Sequence, residues 1–106
     1  IQGLSEGVAL GKKSNLNMNK VLDAISGGAA QSWQMDNRFK SMVNSEFDFG
    51  FAVDLMIKDL KIALNHSNDL GIKLSSTKSI LQNYKKLSTL GDGQLDTSSL
   101  IKLLEN

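Results

Sequence analysis

Between Phe51 and Ile62 the chain carries Phe51, Ala52, Val53, Leu55, Met56, Ile57, Leu60 and Ile62, eight apolar residues in twelve. Strand alternation would put apolar residues at every second position, and the blocks 51–53 and 55–57 break that rule. A helix turns about 100° per residue, so positions this dense cannot all lie on one stripe. The spacing predicts a long helix over about residues 50–70, central to the fold, touched on several sides and closed by Gly71 as its C′ residue. A chain of 106 residues holds one such element and a few shorter partners around a single core.

Punctuation marks those partners. Ile1, Leu4 and Val8 share a helical face that Gly11 and the Ser14-Asn15 pair would end. Ile1 already lies inside this pattern with no capping residue ahead of it, so the chain reads as a fragment whose first helix starts upstream. Asn17 is a good N-cap, with Leu16 and Val21 placed as a hydrophobic staple, and Gly27-Gly28 stops that second helix. Ser32 opens a third, burying Met35, Phe39, Met42 and Val43. Ser75 opens a fifth, with Ile80, Leu81, Tyr84 and Leu87 inward and Gly91 closing it. Asp96 opens a sixth carrying Leu100, Ile101 and Leu104. With no proline and no sustained alternation, the expected class is all-α, a single domain of about six helices around the long central one.

Composition narrows function mainly by exclusion. Twelve Lys and Arg against eleven Asp and Glu leave a net charge of +1, too little to gather nucleic acid or an anionic membrane by bulk attraction. Arg38 is the only guanidinium, which argues against bidentate reading of phosphates or bases. The absence of cysteine removes disulfides, thiolate nucleophiles and Cys-ligated metals, and fits a cytoplasmic protein. His66 is the only histidine, so a multi-histidine metal cluster is excluded, and it reads as a helix-surface residue. Neither a membrane-length apolar run nor a signal peptide is visible. The Gly91-Asp92-Gly93-Gln94-Leu95-Asp96 loop lacks the acidic spacing of a calcium loop and the third glycine of a dinucleotide fingerprint, and reads as a turn with an N-cap.

Two features stand above this background. Gly3, Gly7 and Gly11 recur every four residues, each about 1 kcal/mol poorer in a helix than Ala; either another helix, the central one or one of a partner subunit, approaches closely there or the spacing is accidental. Lys58 lies inside the apolar segment, where a buried ammonium needs a partner; Asp54, four residues earlier, would pair with it on a surface strip.

Three stretches carry a family resemblance: Glu6-Gly-Val-Ala-Leu-Gly-Lys-Lys, Leu16-Asn-Met-Asn-Lys-Val-Leu-Asp-Ala-Ile-Ser-Gly-Gly-Ala-Ala-Gln-Ser-Trp33, and Phe49-Gly-Phe-Ala-Val-Asp-Leu-Met-Ile-Lys-Asp-Leu60. Together with Gly91-Asp-Gly-Gln-Leu-Asp96-Thr-Ser they resemble the C-terminal domain of the β-hydroxyacid dehydrogenases, including 3-hydroxyisobutyrate dehydrogenase and tartronate semialdehyde reductase, over almost the whole chain. Lys73-Leu74 departs from the proline many relatives carry there. The resemblance implies a helical fold like the 6-phosphogluconate dehydrogenase C-terminal domain, with residues 1–106 forming the second domain of a two-domain enzyme. The parent would bind NAD or NADP through an N-terminal Rossmann domain absent from this chain. It would act on a small β-hydroxy acid or its semialdehyde.

By the same resemblance, this domain would close the active site and support a homo-oligomer. The family's catalytic Lys and its phosphate-binding loop lie upstream of Ile1. No catalytic or metal-binding residue is therefore expected here, and no cofactor is expected on the fragment alone. Lys58 matches the family's Lys-Asp-Leu lysine and is the one expected cofactor-binding residue. The competing reading is a stand-alone helical interaction or dimerisation module without activity.

Overall fold

Helices form where the caps and apolar faces fall: α1 (Gln2–Lys13), α2 (Met18–Ile25), α3 (Trp33–Asn44), α4 (Val53–Asp69) and α5 (Ser75–Leu87). A wide π-type turn (Ser88–Asp92) and a 3₁₀ helix (Thr97–Leu103) follow. This is a computed structural model, and it describes residues 1–105. The class is all-α; among the described residues there is no strand, only an isolated antiparallel bridge between Ala52 and Asp96.

Local chemistry sets the boundaries. Asn17 Oδ1 accepts the Lys20 N–H at 3.2 Å, and Ser32 Oγ accepts the Met35 N–H at 3.1 Å, so both expected caps satisfy a donor of the first turn. Gly71, at φ +70°, reverses the chain after α4. There the Ile72 N–H donates to Ser67 O at 2.9 Å and the Gly71 N–H to Asn68 O at 3.1 Å.

Packing divides the chain into two compact units. The first, Ile1–Phe47 with the C-terminal segment from Ser98, sets α1 against α2 and α3 and buries Val8, Met35, Phe39, Met42, Phe47, Leu100 and Ile101. Lys12 and Glu105 form an ion pair within it. The second, Asp48–Thr97, packs α4 on α5 and buries Val53, Leu81, Tyr84 and Leu87.

Several expectations change. α4 begins at Val53 instead of near residue 50, because the main chain at Phe51 and Ala52 is occupied with residues 95–97. It is the longest helix, yet Val53 and Ser67 are its only buried residues among those described. Leu55 and Ile62 are 44% and 60% exposed, so burial on several sides is not met by this chain. A helix resting on one neighbour buries one stripe and leaves the rest of a dense apolar pattern outside. The last helix is 3₁₀, not α: the Leu104 N–H reaches back three residues to Ile101 O at 2.9 Å. Leu104 stays 39% exposed.

Among the described residues, no helix backbone of this chain covers the glycine face of α1. A Cβ at Gly3 or Gly7 would meet nothing within 4 Å, and only Gly11 is approached, by the Met18 side chain.

Candidate functional site

The start of α4 has no capping side chain; its first amides are satisfied from far along the sequence. The Val53 N–H donates to Leu95 O at 2.9 Å and the Asp54 N–H to Gly93 O at 2.9 Å. Two residues before Val53, the Phe51 N–H donates to Asp96 Oδ1 at 2.9 Å, and the Thr97 N–H returns a bond to Phe51 O at 2.8 Å. The segment 93–97 thus does for α4 what an N-cap does elsewhere. Beneath it, the buried Tyr84 hydroxyl donates to Thr97 O at 3.1 Å. Burial pushes the Tyr84 phenol well above its ordinary pKa, and the nearby Asp96 carboxylate adds to the shift.

Lys58 is exposed. On the helix it lies beside Leu55, three residues before, and Ile62, four residues after, both open to solvent; Phe51, also exposed, precedes the same face. Among the described residues the Lys58 ammonium has no ion-pair or hydrogen-bond partner. The expected pair with Asp54 does not form. Asp54 Oδ1 instead accepts the Ser88 hydroxyl at 2.6 Å, and Oδ2 faces the Gln94 amide at 3.5 Å. The same carboxylate occupies the space a Cβ at Gly93 would need, 2.7 Å from Asp54 Cγ.

The sequence therefore locates Lys58 but misses Asp54, Ser88, Gly93 and Gln94 as a group. No spacing signal joins residues 34 to 40 positions apart in a helical chain. His66 is exposed on α4, and no cluster of three acidic or histidine residues suited to a metal ion occurs among the described residues. Nor is any described helix long and apolar enough to cross a membrane.

Comparison with known proteins decides the family. The profile described as the NAD-binding domain of NADP-dependent 3-hydroxyisobutyrate dehydrogenase matches residues 1–104. The chain belongs to this family. It is 45% identical to an uncharacterized oxidoreductase of Shewanella frigidimarina over 99% of this chain and 36% of that protein. To the probable 3-hydroxyisobutyrate dehydrogenase-like 1, mitochondrial, of Arabidopsis thaliana it is 38% identical, over 97% of this chain and 31% of that one. The crystal structure of 3-hydroxyisobutyrate dehydrogenase from Salmonella typhimurium superposes with a TM-score of 0.87 at 25% identity, covering 96% of this chain and 36% of that one. The chain therefore spans about a third of the length of these relatives. The resemblance to the hydroxyacid dehydrogenases holds over nearly all of it, and the family is an NAD(P)-dependent one.

Proposed function

We propose that residues 1–106 are the C-terminal helical domain of a two-domain NAD(P)-dependent oxidoreductase, and that the parent acts on a small β-hydroxy acid. Its substrate would be of the 3-hydroxyisobutyrate or 2-hydroxy-3-oxopropionate type, since relatives bear the names of enzymes for both. In this reading an N-terminal Rossmann domain supplies the phosphate-binding loop, while the present domain closes the active site, supports a homo-oligomer and works in the cytoplasm.

One observation carries the reading: an exposed, unpaired ammonium, Lys58, set between the exposed apolar side chains of Leu55 and Ile62. An exposed apolar pair flanking an ammonium fits one edge of a dinucleotide, which has flat rings to cover and anionic or polar groups to hold. Lys58 would bind the cofactor, and Leu55 and Ile62 would exclude water beside it. The dinucleotide, when bound, donates or accepts the hydride. No proton-transfer or hydride-transfer residue is assigned within this chain.

The test uses the full-length parent and the chain 1–106 side by side. The parent is expected to oxidise a β-hydroxy acid, or reduce its semialdehyde, with NAD or NADP, and the chain alone to show no turnover. A parent without such activity would favour the helical interaction module. Turnover by residues 1–106 alone would overturn the assignment of a helper domain.

A further inference from the structure

We propose that Asp54 is a positioning residue whose anchorage to the turn over residues 88–94 keeps the Lys58 ammonium free for the dinucleotide. The proposal rests on the assignment of Lys58 made above.

An acid four residues before a lysine is the favoured order for a helical ion pair, so an unrestrained Asp54 would engage Lys58. Its carboxylate is held by two side chains and its main chain by a carbonyl of the same turn. Ser88 donates its hydroxyl to Oδ1, the Gln94 amide faces Oδ2, and the Asp54 N–H is bound to Gly93 O. All three partners lie in one turn, whose path requires Gly91 at φ +95°, a conformation L side chains rarely adopt.

Gly93 answers a different need. Its φ of −60° suits any residue, so glycine is required there for space, and the Asp54 carboxylate fills that space. A seat built from a bare Cα, a hydroxyl and an amide matches a carboxylate, and a negative group in the first turn also suits the α4 dipole. With the acid so held, Lys58 has no anion to break from before it meets a ligand.

Gly93→Ala unseats the carboxylate without straining the backbone and lets it reach Lys58. In the full-length parent, the dissociation constant for NADH or NADPH, read by nucleotide fluorescence, should rise about twofold or more, the scale of an exposed helical ion pair. Asp54→Asn/Gly93→Ala should return to the affinity of Asp54→Asn alone, because a neutral amide cannot compete for the ammonium. Should Gly93→Ala fail to fold, Ser88→Ala, which removes one anchor, carries the same expectation and the same rescue by Asp54→Asn.

An unchanged dissociation constant in the folded single variants overturns the proposal. So does a double variant as weak as Gly93→Ala, the mark of mere damage to the turn. Lys58→Met, measured alongside, separates the two levels. If it leaves affinity unchanged, the reading of Lys58 fails and the proposal with it. If it weakens binding while Gly93→Ala and Ser88→Ala do not, only the role of Asp54 is lost.

Discussion

Tyr84 is the only tyrosine in the chain, and its hydroxyl is tied to Thr97 O inside the fold. Its folded pKa lies well above the ordinary 10.0, first because burial disfavours the phenolate and then because Asp96 repels it. Because the neutral phenol is the favoured form in the fold, its stabilisation is complete below the unfolded pKa and is lost, by about 1.4 kcal/mol per pH unit, as pH rises from there through the folded pKa. Phenolate absorbance in an alkaline titration should therefore appear together with the loss of helical circular dichroism. A titration near the ordinary pKa with the helices intact would contradict the burial of Tyr84. The inward place of Tyr84 was legible from helical spacing, as were the caps Asn17 and Ser32, which act within three residues of themselves. The bond from Phe51 to Asp96 spans 45 residues and has no local signature.

At the scale of elements, the glycine face of α1 meets no other helix backbone among the described residues of this chain, which leaves a partner subunit as the neighbour its spacing allows. The three glycines suggest a tight helix contact, but a Cβ would find open space at Gly3 and Gly7. Gly7→Ala should accordingly raise the urea midpoint, by the equivalent of about 0.5–1 kcal/mol of helix propensity. Gly11→Ala should gain less, since its Cβ would come within 3.0 Å of the Met18 thioether sulfur and displace that side chain. Loss of stability in Gly7→Ala would mean the face is covered after all. For α4, apolar density revealed the helix and its Gly71 stop. It did not reveal the start at Val53, set by carbonyls of residues 93 and 95, nor how much of the helix remains exposed. A sequence records which residues seek cover, not which chain provides it.

For the whole molecule, the helical class and the family were both legible, because caps, stops and the stretch from Phe49 to Leu60 are local. Lys58 could be singled out from the sequence as a candidate, while the group that holds the Asp54 carboxylate required the fold. In the proposed role, the charge of Lys58 serves the cofactor and not the fold. Lys58→Met keeps the aliphatic stem and removes only the charge. The urea midpoint of residues 1–106 should then move by less than the equivalent of about 0.5 kcal/mol, since an exposed ammonium without a partner contributes little to stability. In the full-length parent the dissociation constant for NADH or NADPH should rise about tenfold, the scale of a lost charge-assisted contact. A clearly destabilised chain together with unchanged cofactor affinity would contradict the claim.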